Sequence, residues 1–158
     1  MKETKRIPLN NQDMKVIVDE LLLRSGLDIT VKLEDVFQGG RLVGGKYQMD
    51  SKTITMYTKM IEEQCLQLFG SLDCVLDYFK VVVAHEIGHA ADQELTALSD
   101  ALDCSQDLQE CSRISLQIEE NAWRYALLLI PDIDPPFINE IIDQSLQSYR
   151  DELKPAIA

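Results

Sequence analysis

The stretch VVVAHEIGHAAD, Val81 to Asp92, constrains the fold of this chain more than any other. Its spacing predicts a helix that is apolar on nearly every side, and such a helix must be covered by other elements all round. The same helix carries two histidines and a glutamate. Burying these groups costs several kcal/mol unless they are paired or bound to a metal. We therefore expect a globular fold built around this helix, with partners for all three polar side chains.

The two histidines of the helix, His85 and His89, are the only ones in the chain. Four residues correspond to about 400° of rotation and a rise of roughly 6 Å, so both rings leave one face a turn apart. This spacing lets two ring nitrogens reach one zinc ion at roughly 2.0–2.1 Å. Glu86 lies about 100° round the helix, near enough to act as a base on water at the metal. Gly88 leaves room for another element to pack beside the site. The alternative is a buried histidine pair satisfied by hydrogen bonds alone.

A catalytic zinc takes three protein ligands, and the third here has to be a carboxylate or a cysteine. Glu119 shares a helix face with an apolar stripe, where a buried carboxylate needs a cation. Glu120 instead precedes Arg124 by one turn, as in a surface ion pair. We expect Glu119 to be the ligand and keep Glu120 as the alternative. The wider set of downstream carboxylates is Asp92, Glu94, Asp100, Asp103, Glu110, Glu119 and Glu120.

The order of predicted elements is a helix, a small sheet and then further helices, which indicates a single α+β domain. We expect an N-terminal helix in residues 1–26, a sheet in 27–58, metal-site helices in 59–131 and a C-terminal helix in 132–158. Lys46–Met49 and Thr53–Tyr57 should form a hairpin. The histidine helix should begin near Ser71 or Asp73. Residues 95–112 should be a loop with a short helical piece.

The composition of the chain argues against several classes of function. The net charge of −12 argues against binding to nucleic-acid backbones and to anionic membranes. The N-terminal residues lack the apolar stretch of a secretory signal, and no apolar run is long enough to span a bilayer. The four cysteines show no CxxC pairing, which argues against a structural zinc knuckle. Without a secretory signal, we expect them to be reduced thiols in a cytoplasmic protein. A sensor of oxidation or metal that acts through these thiols is a further alternative.

Two segments of the chain resemble the ImmA/IrrE-type metallopeptidases. FKVVVAHEIGHAAD is similar to that family's histidine segment, and EENAWRYALLLIP is similar to its glutamate helix, with the resemblance running from about Leu27 to Pro131. It implies a compact zincin-like fold of the gluzincin type, with a small twisted sheet packed on the active-site helix. It also implies Zn²⁺ on His85, His89 and Glu119. Trp123 stands where the family usually has asparagine, so an amide that could hydrogen-bond to a metal ligand is missing.

The expected activity is zinc-dependent hydrolysis of peptide bonds in a specific intracellular protein, with Glu86 as the catalytic base. Some members of the family cleave helix-turn-helix repressors, and here a repressor would be a separate protein. A substrate strand could pair along the edge of Thr53–Tyr57. The alternative is a catalytically silent zinc-binding module of the same fold. Candidates for an oxyanion donor or for a group that orients a histidine are Tyr57, Tyr125, Arg124 and Asp92.

Overall fold

The computed structural model describes residues 9–39 and 43–153, which form six helices and a three-stranded sheet. This architecture confirms the predicted α+β class. Along the chain the elements are α1 (Asn11–Ser25), β1 (Thr30–Glu34), β2 (Gly45–Gln48), β3 (Thr53–Tyr57), α2 (Thr58–Phe69), α3 (Val75–Ala91), α4 (Leu95–Cys104), α5 (Leu108–Leu129) and α6 (Pro135–Glu152).

Helix α1 has the two ends that its sequence predicts. The side chain of Asn10 accepts a hydrogen bond from the backbone N–H of Asp13 at 2.8 Å, which satisfies one of the free donors of the first turn. Gly26 ends the helix with a φ of 67°, a left-handed conformation that glycine adopts without steric cost. Met14, Val18 and Leu21 are the buried face of α1 and join the core against α3.

The sheet has the strand order β1–β3–β2, with β1 parallel to β3 and β2 antiparallel to it. The predicted hairpin is therefore confirmed. The prediction that Thr53–Tyr57 presents a free edge is wrong, because β1 pairs with its other side. All five residues of β3 are buried, and β1 and β2 are the two edges. Strand β2 is the edge that lies closest to α3.

Helix α3 is the centre of the fold, with ten of its 17 residues buried. It contacts α1, α2, α5, β2 and β3, as its apolar surface requires. The helix begins at Val75, later than predicted, with Cys74 at the N-cap and no side-chain cap. The Ser71 hydroxyl instead accepts from the N–H of Asp73 at 3.3 Å, a local turn that precedes the helix.

The prediction of a loop with a short helical piece in residues 95–112 understates the helix there, because α4 and the start of α5 occupy most of the segment. Helix α4 buries no residue completely, and it packs on α5 with a half-buried stripe of Leu95, Leu98 and Leu102. A stripe of so few half-buried leucines gives only a weak helical periodicity in the sequence. The side chain of Asp107 caps α5 by accepting from the N–H of Gln109 at 2.9 Å.

No helix in the described residues is both long and apolar enough to cross a membrane.

Candidate metal centre

Helices α3 and α5 bring together two imidazoles and a carboxylate. Nε2 of His85 lies 2.8 Å from Oε2 of Glu119, and Nε2 of His89 lies 3.5 Å from the same oxygen. The candidate ligand atoms of the three residues all lie within 4.8 Å of one another. Their side chains are 13%, 11% and 16% exposed for His85, His89 and Glu119. The predicted ligand set therefore forms one largely buried cluster, although its members lie on separate helices.

A close crossing of α3 and α5 positions this cluster. A Cβ atom placed on Gly88 would lie 2.2 Å from the carbonyl oxygen of Ala122, far inside van der Waals contact. Glycine therefore allows the backbone of α5 to touch α3, which agrees with the packing role expected of Gly88. Glu119 is one turn before Ala122, so the crossing carries its carboxylate onto the histidine face of α3.

The electrostatics of the cluster are those of a compact ion pair network. Burial lowers the pKa of His85, but the carboxylates of Glu86 and Glu119 outweigh it and raise that pKa to about 10. Burial likewise favours the neutral form of Glu119, yet hydrogen bonds from both histidines hold the pKa of this carboxyl well below its usual range. Glu119 is thus an anion that already faces two basic nitrogens.

The three side chains could hold a metal ion between them. Two imidazole nitrogens and one carboxylate oxygen are a common ligand combination for catalytic zinc. Zinc–ligand bonds of about 2.0–2.1 Å in a tetrahedron separate the donor atoms by roughly 3.4 Å. The two contacts of Glu119, 2.8 and 3.5 Å, bracket that spacing, and all the candidate ligand atoms lie within 4.8 Å of one another. Within the described part of the chain, this is the only group of three or more His, Cys, Asp or Glu side chains with such a geometry.

Glu86 lies beside the cluster and is only 5% exposed. Its Oε2 is 3.0 Å from Nδ1 of His85, the ring nitrogen opposite the one that faces Glu119. Gly45 of β2 packs directly over this carboxylate, since a Cβ there would lie 2.8 Å from Cγ of Glu86. Glu86 is therefore held between its own helix and the edge of the sheet.

A cavity of about 600 Å³ opens onto the cluster. Strand β2 and its preceding residues form one wall, α2 and α6 form the others, and α3 and α5 form the floor. Polar but uncharged side chains of α2 and α6 are prominent in these walls. The lining residues are Val43, Gly44, Gly45, Gln64, Gln67, Leu68, Tyr78, Val82, His85, Glu86, Glu119, Trp123, Ile141, Gln144, Ser145, Ser148 and Tyr149.

Asp92 does not contact a histidine ring within hydrogen-bonding distance. Its Oδ1 accepts from the N–H of Glu94 at 2.9 Å, and its Oδ2 accepts from Nδ2 of Asn121 at 3.2 Å. Asp92 thus ties the end of α3 to α5. Glu120, the alternative ligand, is half-buried and outside the cluster, and it forms no ion pair with the exposed Arg124 among the described residues.

The three oxyanion candidates do not line the cavity. Tyr57 is buried at the end of β3, where its ring packs edge-on against Phe37 at 5.4 Å. Burial raises the pKa of Tyr57, and the charges of Glu34 and Glu86 add to this effect. Tyr125 is half-buried against the core and Arg124 is exposed. The tyrosines that do line the cavity are Tyr78 and Tyr149.

The sequence prediction did not foresee the role of Trp123. Its indole stacks on the ring of His85, with ring centroids 4.2 Å apart and an interplanar angle of 24°. The indole N–H donates to the hydroxyl of Ser145 on α6 at 3.3 Å. Trp123 therefore links a candidate ligand to α6. A signal for it was present, since Trp123 follows Glu119 by one turn and shares its face.

The structure thus brings the three predicted ligands into one cluster. Of these, His85 and Glu119 line the cavity together with Glu86, whereas His89 and the remaining candidates do not. The case for a function rests on that geometry. No protein-family model matches the chain, and comparison with curated proteins and with solved structures likewise finds no match.

Proposed function

We propose that the chain is a zinc-dependent metallopeptidase. One observation carries the proposal: His85, His89 and Glu119 converge in one largely buried cluster, and two of them, His85 and Glu119, line a cavity together with Glu86. A metal site with three protein ligands, an adjacent carboxylate and an open cavity is typical of catalytic rather than structural zinc. The resemblance of the two helices to the ImmA/IrrE-type peptidases points in the same direction.

His85 and His89 would hold the ion through Nε2, and Glu119 through its carboxylate. Trp123 would fix the ring plane of His85, and Gly88 would keep Glu119 within reach by close packing of the helices. When bound, zinc supplies a Lewis acid that polarises a scissile carbonyl and acidifies water.

We assign the proton transfers of peptide hydrolysis to Glu86. Its Oε2 contacts Nδ1 of His85, so we assign Oε1 to accept the proton from the attacking water and to deliver it to the leaving amine nitrogen. Burial between Gly45 and α3 restricts this carboxylate to a small range of orientations. Tyr149 and Tyr78 are the candidates to stabilise negative charge on the carbonyl oxygen, because both line the cavity.

An extended peptide would bind along β2, not along β3. Strand β2 is an edge strand, and its first residue Gly45, with the preceding Gly44, borders the cavity next to Glu86. Free backbone groups on such an edge can pair with a substrate strand. Since the walls beyond the cluster are neutral, we infer a substrate segment with uncharged side chains. A separate helix-turn-helix repressor stays a candidate substrate on the strength of the resemblance alone.

A second candidate is a zinc-binding module without activity. It is favoured by the contact of Glu86 with Nδ1 of His85, which would make this carboxylate a group that orients a ligand. The two candidates agree on the metal and differ on the role of Glu86.

Metal analysis and a hydrolysis screen together test these alternatives. Wild-type protein should contain one zinc per chain, His85→Ala and Glu119→Ala should contain none, and Glu120→Ala should match wild type. Peptide libraries with neutral and with charged residues should reveal cleavage by wild type. Glu86→Gln should retain the metal and lose the cleavage. Full activity in Glu86→Gln would refute the base assignment, and zinc without any cleavage in wild type would favour the silent module.

A further inference from the structure

Two of the four cysteines lie in contact with each other. Sγ of Cys65 is 3.8 Å from Sγ of Cys74, although both are free thiols. Cys65 lies on α2 and Cys74 is the N-cap of α3, so the pair bridges two helices. No other two thiols of the described residues approach each other this closely.

The two thiols differ in their access to solvent. Cys65 is completely buried, and its Sγ donates to the carbonyl oxygen of Ser71 at 3.4 Å. Burial, with the nearby Cys74, raises the pKa of the Cys65 thiol to about 12. Cys74 is partly exposed and lies just outside the regular part of α3. A reagent in solution therefore meets Cys74 first, and Cys65 can act only from within the fold.

The backbone between the thiols suits a closed ring. Gly70 ends α2 with a φ of 76°, and the chain turns back so that Cys74 faces the helix it has just left. Because Cys74 precedes the first helical turn, its side chain can rotate by the small distance needed without breaking the hydrogen bonds of α3. The two helices that the pair bridges also line the cavity, through Gln64 and Leu68 on α2 and Tyr78 on α3.

We propose that Cys65 and Cys74 form a reversible disulfide when the protein meets a low-molecular-weight disulfide such as oxidised glutathione. This inference goes beyond the peptidase proposal and needs neither metal nor activity. The Cys74 thiolate attacks one sulfur of the small disulfide, whose S–S bond breaks, and one glutathione thiolate leaves and takes up a proton. Cys65 then loses its proton to solvent and attacks Sγ of Cys74, which expels the second glutathione. Two protein thiols are oxidised and one disulfide is reduced to two thiols.

The disulfide would fasten the C-terminal half of α2 to the start of α3, next to the cavity. A crosslink that closes a loop of about ten residues stabilises the fold mainly by restricting the unfolded chain. We expect the oxidised protein to melt roughly 5–10 °C higher than the reduced protein, and dithiothreitol should reverse the shift.

Peptide mapping tests the proposal. The full chain is treated with oxidised glutathione, remaining thiols are alkylated, and the protein is digested with trypsin, which leaves both cysteines on residues 60–80. Cleavage at Asp73 then separates them unless a disulfide holds the halves together. In folded wild type and in the Cys104→Ser/Cys111→Ser control, we expect a Cys65–Cys74 link. In Cys65→Ser we expect a stable glutathione adduct on Cys74.

Two outcomes would overturn the proposal. One is that Cys65 and Cys74 remain alkylatable in the folded protein while Cys104 and Cys111 react. The other is that the Cys65–Cys74 link forms no faster in the folded protein than in guanidinium, where proximity along the chain alone acts. Because wild type carries the decisive measurement, poor folding of a serine variant would not obscure the result.

Discussion

Helices α3 and α5 supply the same cluster but are held in the fold in different ways. Ten of the 17 residues of α3 are buried, and the sheet and three helices cover it. Only four of the 22 residues of α5 are buried, Ala122, Trp123, Ala126 and Leu129, all in its C-terminal half. The position of α3 thus follows from its own composition. The position of Glu119 depends on a few contacts between the helices.

The contacts between α3 and α5 fall into a buried and an exposed group. The buried group comprises the crossing at Gly88, the cluster of the two histidines with Glu119, and the stack of Trp123 on His85. The exposed group is an ion pair network in which Asp132, just after α5, contacts Lys80 of α3 and Arg24 of α1. We therefore expect changes in the buried group to affect both the stability of the fold and metal binding. Changes in the exposed group should affect only the stability, and only slightly.

The largest effect is expected for Glu119→Gln. Loss of a charged ligand from the cluster should weaken zinc binding about 1000-fold, or about 4 kcal/mol. The measurement is competition with a chelator of known affinity. Glu120→Gln is the matched control, since it removes the neighbouring carboxylate of the same helix and should bind zinc as wild type does. Equal loss in both variants would mean that general charge, not the cluster, holds the ion.

Gly88→Ala should be next in size. The added Cβ would meet the carbonyl oxygen of Ala122, so α5 would have to move, at a cost of about 3 kcal/mol in the free energy of unfolding. Zinc affinity should fall with it, because Glu119 moves away from the histidines. Gly26→Ala serves as control: its Cβ meets open space, and only the φ of 67° costs about 1 kcal/mol without a change in zinc affinity. A Gly88→Ala protein as stable as wild type would disprove the close crossing.

Trp123→Phe should have a moderate effect. The phenyl ring can still stack on His85, but the hydrogen bond to Ser145 is lost, at about 1 kcal/mol in unfolding free energy. Ser145→Ala should cost a similar amount, and the double variant little more than either single one. Trp123 is the only tryptophan in the chain, so its fluorescence should change when zinc binds to wild type. A tryptophan signal that zinc leaves unaltered would contradict the stack on a ligand.

The smallest effect is expected in the exposed network. Hydrogen bonding from Lys80, aided by Arg24, lowers the pKa of Asp132 to about 2. A carboxyl whose folded pKa is depressed stabilises the fold above its unfolded pKa of about 4 and loses that contribution as the pH falls towards 2. Because Asp132 is half exposed, the stabilisation should stay below about 1 kcal/mol. Asp132→Asn should therefore be slightly less stable than wild type at pH 7 and equally stable near pH 2. A constant difference across that range would exclude the ion pairs as its cause.

The sequence predicted those features that a single segment specifies. The spacing of His85 and His89 and the caps of α1 follow from local geometry. Helix α3 is recognisable from its nearly continuous apolar composition and α5 from its amphipathic period. The sequence prediction understated α4, whose half-buried leucine stripe is too thin to give a clear period. The sequence prediction was also wrong about the edge of the sheet, because no local pattern indicates that β1 pairs with β3 in parallel. The part of the cavity wall that α6 forms likewise depends on contacts between segments that are distant in sequence, so no local pattern predicts it.

By itself, then, the sequence determined that a buried helix carries two histidines and a glutamate that need charged or metallic partners, since helical spacing and apolar neighbours are local properties. Tertiary structure decided which carboxylate meets them, which strand borders the cavity and which cysteines touch. The physical reason is that Gly88 and Ala122 let two backbones meet, and only that packing brings Glu119 to His85 across 34 positions of chain. The same applies to Trp123, whose indole gains its place against His85 from the crossing of α3 and α5.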